Sequence, residues 1–241
     1  MDTEAQHTER DRSSSPCEPD SPHADEPDAE GAEEERSRSV FASFVAWLPG
    51  GRLTLSALLT VGALLLVSTF VVQPYEIPSG SMEPTFRVGD RILVNKLAYR
   101  FGSEPQRGDA VVFDGSGYFG DADYVKRVAG VGGDRVVCCD KRGRITVNGQ
   151  AVDEPYLFPG DKPSTVPFDV VVPDGTIFVL GDHRSDSSDS RDHLGSPGGG
   201  MIPVDDVIGR ADWIAWPLSH WTSLKRPDVY ARVPAPGGAH G

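Results

Sequence analysis

Residues 53–72, Leu-Thr-Leu-Ser-Ala-Leu-Leu-Thr-Val-Gly-Ala-Leu-Leu-Leu-Val-Ser-Thr-Phe-Val-Val, carry no charged side chain, and no other feature restricts the chain as much. Twenty residues rising about 1.5 Å each span roughly 30 Å, the thickness of a hydrocarbon core. A helix pairs its own backbone there, and the interspersed Ser and Thr can bond back to carbonyls of the preceding turn. A cleavable leader would have a shorter apolar section and would not follow a long polar, acidic stretch. We therefore read 53–72 as one permanent transmembrane helix, although the uncharged window itself runs on to Tyr75.

Orientation follows from nearby Lys and Arg. Arg36, Arg38 and Arg52 precede the span, whereas residues 73–90 contain only Arg87. The positive-inside bias places the N-terminus in the cytoplasm and residues 73–241 outside. Residues 41–52 form a juxtamembrane segment. Its apolar part is too short to span and is closed by Pro49-Gly50-Gly51, so it reads as an interfacial helix carrying Trp47 or as an extension of the anchor.

The formal net charge of -13 is uneven: residues 1–40 hold 13 acidic and 4 basic side chains, or -9. Rich in Ser, Pro and Ala and without apolar periodicity, they cannot bury enough surface to order, and we expect a disordered acidic tail. This charge distribution argues against nucleic acid as a partner. The basic stretch Arg135–Arg144, broken by Asp140, reads as a solvated hairpin.

Residues 73–230 are long enough for a core and read as mainly β, a barrel or coiled sheet behind the helix. Short β-prone runs occupy Arg91–Ala98, Ala110–Phe113, Tyr124–Ala129, Arg135–Cys139, Arg144–Val147, Gln150–Val152, Val170–Val171 and Thr176–Leu180, with Asn148-Gly149 as a hairpin turn. Irregular excursions are expected at 157–175 and 183–202, and a flexible tail at 231–241. In Ala211–Trp221 the tryptophans either touch a lipid interface or close the barrel, and we expect core packing. Cys138 and Cys139 are adjacent, so on a strand their side chains point to opposite faces. We expect an inert pair rather than a disulfide. No metal-ligand spacing surrounds them, and no cofactor is expected. Cys17 falls in the acidic tail.

Two residues carry candidate chemistry. Ser81 lies in Ile77-Pro-Ser-Gly-Ser-Met-Glu-Pro-Thr85, shortly after the span, and Lys126 lies in Asp123-Tyr-Val-Lys-Arg-Val128. A serine hydroxyl needs a base in contact, and a lysine can serve if burial lowers its pKa from about 10.4 towards 7–8. Strand alternation would turn Lys126 and Val128 into an apolar pocket and leave Arg127 facing solvent. Ser79 and a backbone amide near Ser81 could hold an oxyanion, with Gly80 permitting close approach. Gly181-Asp-His-Arg-Ser-Asp-Ser-Ser-Asp-Ser-Arg191 follows an apolar strand and either lines a site or forms a solvated loop. Within it Asp189 and Arg191 can pair bidentately. A Ser81–His183–Asp182 triad is disfavoured, because neighbours on one strand cannot readily orient each other. A Cys–His site is not excluded by composition.

Taken in order, these segments resemble bacterial type I signal peptidases, the S26 family of serine proteases. The resemblance rests on Pro78–Thr85, Gly89–Lys96, Arg107–Phe113, Tyr124–Gly130 with Gly133-Asp134, Gly181–Arg191 and Val207–Ala211. It implies Ser81 as nucleophile, Lys126 as general base, and Ser79 as the hydroxyl completing an oxyanion hole with the Ser81 amide. It implies Ser187 as the group orienting the lysine amine, and Asp182, Asp189 and Arg191 as residues that structure the site. The implied partners are signal peptides of exported pre-proteins, cut after small residues at the outer membrane face, together with membrane lipid and export machinery, and no cofactor. One span resembles the actinobacterial or other Gram-positive form. The loop departs from the family at His183, Ser185 and Asp186, where Asn, Asp and Asn are common. The alternatives are a self-cleaving Ser–Lys regulatory protease and a tethered β domain that binds exported proteins without cutting them.

Overall fold

A computed structural model describes residues 51–236. The expected acidic tail, Cys17, Arg36, Arg38, Trp47 and residues 237–241 lie outside the described residues. The chain divides into two compact units, 1–58 and 59–241. The first is described only over Gly51–Leu58.

Helix α1 (Arg52–Phe70) is long and apolar enough to cross a membrane and buries none of its side chains within the protein. Its hydroxyls are absorbed internally: Thr54 donates to Gly51 O, Ser68 to Leu65 O at 2.9 Å and Thr69 to Leu65 O at 2.8 Å. Such bonds let small polar residues sit in an apolar helix. The helix stops two residues earlier than the apolar run suggests. Val72 already belongs to β1 (Val72–Glu76), which pairs antiparallel with β2 (Arg91–Asn95) from Val72↔Asn95 to Glu76↔Arg91. Absence of charge marks both a span and a strand, so hydropathy could not locate this junction. Pro74 is tolerated because β1 is an edge.

Beyond the helix the protein is mainly β. The larger sheet also contains β3 (Ala110–Asp114), β4 (Asp123–Val131), β9 (Thr176–Leu180), β10 (Ile202–Pro203), β11 (Val207–Trp216) and β12 (Thr222–Ser223). Its order is β1-β2-β11-β3-β4-β9-β10, with β12 on β11. The smaller sheet has the order β7-β6-β5-β8, built from β5 (Arg135–Cys138), β6 (Ile145–Val147), β7 (Gln150–Ala151) and β8 (Phe168–Val171). Asn148, at φ 51°, and Gly149, at φ 79°, make the tight β6–β7 turn that positive φ requires.

Both faces of the larger sheet are covered. Ala110 and Val112 of β3 join Ile92, Val94 and Ile214 on one side, while Val111 and Phe113 join Val128, Ile177 and Val179 on the other. A third cluster joins the two sheets through Val136, Ile145, Phe168, Phe178 and Leu180.

Three expectations need correction. Trp213, Trp216 and Trp221 are 45%, 54% and 60% exposed, so they do not fill the core; Ala211 and Ile214 do. Cys138 and Cys139 form a disulfide. The reason is that β5 ends at Cys138, so strand alternation does not extend to Cys139. Arg127 is buried rather than solvent-facing. With both faces covered, alternation separates Lys126 from Arg127 without exposing either.

Phe178 is fully buried, with its ring 5.4 Å from that of Phe168. Phe178→Ala should destabilise the protein by about 3–5 kcal/mol. A lower urea midpoint, followed by tryptophan fluorescence of the detergent-solubilised chain, would show it.

Candidate active site

The segment bearing Ser81 is fixed at both ends and from below. Ile77 N donates to Asp90 O and Gly89 N to Ile77 O, each at 2.9 Å, which closes 77–90 into a loop. Met82 and Phe86 are fully buried with Ile92 and Val94 and act as anchors. Turn bonds from Glu83 N to Gly80 O and from Phe86 N to Met82 O complete the frame. Ser81 remains 8% exposed.

Lys126 enters from the middle of β4, opposite Val111 of β3, and is 3% exposed. Its Nζ donates to Ser81 Oγ at 2.7 Å, across a sequence separation of 45. Ser79 Oγ lies 3.4 Å from Ser81 Oγ. Burial lowers the Lys126 pKa to about 8, against the opposing pull of Asp189 and Asp182 and, more weakly, Asp186; Arg191 assists the lowering. Desolvation penalises the ammonium, so the neutral amine is reached at lower pH than in a free lysine.

The loop after β9 supports this contact from behind. Asp189, fully buried, accepts two bonds from Arg191, at Nε and Nη2, each 2.8 Å. It also accepts Gly181 N at 3.0 Å and Ser187 Oγ at 2.9 Å. Burial alone would raise its pKa; the bonds from Arg191, Gly181 and Ser187 win and hold it below the usual value. The hydrogen bond of the Ser187 hydroxyl thus runs to Asp189, while that of Lys126 runs to Ser81.

Asp182 serves a different side of the site. It accepts Arg127 Nε at 2.7 Å, Arg127 Nη2 at 2.5 Å and Thr85 Oγ1 at 2.5 Å, and so ties β4 to the Ser81 segment. Arg127 also donates to Gly108 O at 2.9 Å and lies 4.3 Å over the Tyr156 ring.

His183 belongs to no triad. Its ring stacks on Phe158 at 3.8 Å, and its Nδ1 sits 3.3 Å from Gly80 O, not at the Ser81 hydroxyl. Its backbone N–H donates to Ser81 O at 3.1 Å. Ser185 N and Oγ both donate to Asp161, at 3.0 and 2.8 Å. Two of the three loop departures thus attach the loop to residues 158–161.

Ser81 and Lys126 share a cavity of about 340 Å³, whose apolar lining includes Ile77, Ile92, Val112 and Val125. A larger cavity, about 740 Å³, lies between residues 102–107 and 226–236, away from both. Among the described residues no cluster of His, Cys, Asp or Glu is placed to hold a metal.

The structure therefore gathers Ser79, Ser81, Lys126, Asp182, Ser187, Asp189 and Arg191 around one site. Sequence reasoning passed over Thr85 and Gly181. A Cβ on Gly181 would collide with Ser187 and lie 2.6 Å from Ser81 O. Its place between strand β9 and Asp182 was the only sequence signal.

These elements bring a serine hydroxyl and a buried lysine amine into contact on an antiparallel sheet. The family profile described as "Signal peptidase, peptidase S26" matches residues 51–216. A "Signal peptidase I" of Mycobacterium tuberculosis (strain ATCC 25618 / H37Rv) is 41% identical over 226 residues, 72% of this chain and 76% of that protein. A "Signal peptidase IB" of Staphylococcus aureus (strain N315) is 36% identical over 181 residues, 68% of this chain and 88% of that protein. The chain belongs to the S26 family of signal peptidases, and its class of activity is that of a signal peptidase I, a peptide hydrolase.

Gly181→Ala should leave the protein folded but cut peptide-hydrolysing activity by at least about tenfold, a barrier change of about 1.4 kcal/mol. Turnover of a signal-peptide substrate, read beside a melting curve, checks this.

Proposed function

We propose that this chain is a membrane-anchored endopeptidase that cleaves signal peptides from exported pre-proteins, with Ser81 as nucleophile and Lys126 as general base. The 2.7 Å contact between a buried amine and Ser81 Oγ carries the reading. Neutral Lys126 takes the Ser81 proton as Oγ attacks the scissile carbonyl carbon. The Ser81 N–H and Ser79 Oγ–H stabilise the resulting oxyanion. The Lys126 ammonium then returns the proton to the leaving amine, which departs as the mature N-terminus and leaves an acyl-enzyme. Lys126 next deprotonates a water, which attacks the ester; the C–O bond breaks, Ser81 regains its proton, and the signal peptide leaves as a carboxylic acid. Ser187, which donates to Asp189, is the residue we assign to orienting the amine. The Asp189–Arg191 and Asp182–Arg127 pairs hold the loop and β4 in place.

The apolar cavity beside Ser81 supports a preference for small residues at the last and third-from-last signal positions. A pocket rejects bulk by overlap more strongly than it rewards one missing methylene, worth only about 1–3 kcal/mol. We place the N-terminus in the cytoplasm and the catalytic domain outside, with the exposed indoles of Trp213, Trp216 and Trp221 at the lipid interface.

Ser81→Ala, Lys126→Ala and Lys126→Arg should each abolish processing of a pre-protein in detergent while circular dichroism stays unchanged. Arginine fails because it does not deprotonate in the useful range; an active Lys126→Arg protein would remove Lys126 from its role. Ser79→Ala should slow turnover by about 10²–10³-fold with little change in binding.

The pH profile follows the lowered Lys126 pKa. The active species is the neutral amine, so the rate should rise with pH through about 8. About a tenth of the amine is neutral one unit below that point and about nine tenths one unit above. A rate flat between pH 6 and 9 would contradict the assignment.

External protease added to spheroplasts should reach residues 73–241 and spare the acidic tail. Efficient cutting after Leu or Phe at the last signal position would contradict the small-residue preference.

A further inference from the structure

In a chain of formal net charge -13, one cavity is cationic. It measures about 260 Å³, and Arg127, Arg210, Lys225 and Arg226 line it with a single acid, Asp109. Asp109 is already engaged: its Oδ1 accepts Arg226 Nε at 2.8 Å, and its Oδ2 accepts Tyr99 OH at 2.9 Å and Gln106 N at 3.0 Å. Arg127 forms part of the wall with its guanidinium committed to Asp182, Gly108 and Thr85. The other three cations keep donors in reserve. Arg210 bonds Asp212 through Nε and Nη2, which leaves Nη1. Arg226 bonds Asp109 through Nε and Gln106 through Nη1, which leaves Nη2. Lys225 is exposed and has no acidic partner among the described residues.

The ribbon that supplies these cations also carries the exposed indoles. In β11–β12, Trp213 pairs with Ser223 and Ile214 with Thr222. Arg210 precedes Trp213 on β11, and Lys225 and Arg226 follow β12 after Leu224. Trp213, Trp216, Leu218 and Trp221 are all 45–65% exposed. Indoles favour the depth of lipid headgroups, where phosphates also lie, and basic side chains at that depth gain about 1 kcal/mol each from anionic lipid. A cavity of unpaired donors on the same ribbon as such indoles fits a phosphate carried by a lipid better than one free in solution.

We propose that Arg210, Lys225 and Arg226 form a headgroup site for an anionic phospholipid, whose phosphate enters the cavity between β11 and the segment after β12. The assignment is independent of the peptidase reading, because it is tested by binding.

The full-length chain in nonionic detergent is titrated calorimetrically with dioctanoyl phosphatidylglycerol, dioctanoyl phosphatidylcholine and inorganic phosphate. The expected result is a clear preference for phosphatidylglycerol, reduced about fivefold for each cation removed. Arg226→Gln also disturbs the Asp109 pair, so Lys225→Glu, which breaks no contact, is the deciding variant. It should abolish the preference and leave peptide hydrolysis in detergent unchanged. Lys141→Glu, the same charge change on the β5–β6 turn, should leave the preference intact. Equal binding of the two lipids would overturn the proposal, as would a preference that survives Lys225→Glu or falls equally with Lys141→Glu. Inorganic phosphate binding as tightly as the lipid would reassign the cavity to a soluble anion.

Discussion

The site depends on the burial of Arg127 against Asp182. A guanidinium at 7% side-chain exposure and a carboxylate at 0% cannot stay in the interior separately, since an unpaired buried charge costs several kcal/mol. Their pairing dictates where three segments must meet. Arg127 belongs to β4, Asp182 follows β9, and Thr85, hydrogen-bonded to both, belongs to the segment that carries Ser81. Once those are fastened, the residue before Arg127, Lys126, is held within reach of Ser81.

Lys126 shows how finely the local charges are set. Desolvation drives its pKa down, while Asp189, Asp182 and Asp186 pull it back up. Arg191 engages Asp189 through both carboxylate oxygens, and Arg127 does the same for Asp182. Asp186, one of the departures from the family pattern, is an exposed acid without an arginine partner among the described residues. The chain thus keeps one more negative group in reach of the amine than an asparagine there would provide.

Much of this was legible in the sequence because its signals are local. The strands at Ala110–Asp114, Asp123–Val131 and Thr176–Leu180 show β-prone runs bounded by Gly and Asp, and Asn148-Gly149 marks a turn by its own backbone preference. What escaped notice depends on partners distant in the chain. Nothing near Arg127 announces Asp182, 55 residues away, and alternation cannot report a sheet covered on both faces. The end of α1 was misplaced because Val72 is equally at home in lipid and opposite Asn95. Trp213 looked like core because tryptophan is large and apolar; only the bulge between Ala211 and Trp213 settles which way it faces.

The junction after α1 has a mechanical consequence. Only Val71 separates Phe70 from β1, Val71 O accepts Lys96 N at 2.9 Å, and Lys96 Nζ donates to Thr69 O at 3.0 Å. The sheet is therefore joined to the end of the helix by a stiff splice rather than a tether. A tethered domain would sweep a hemisphere and sample cleavage points at many heights. A spliced one works as a gauge, with its cutting edge at a set distance from the last helical turn.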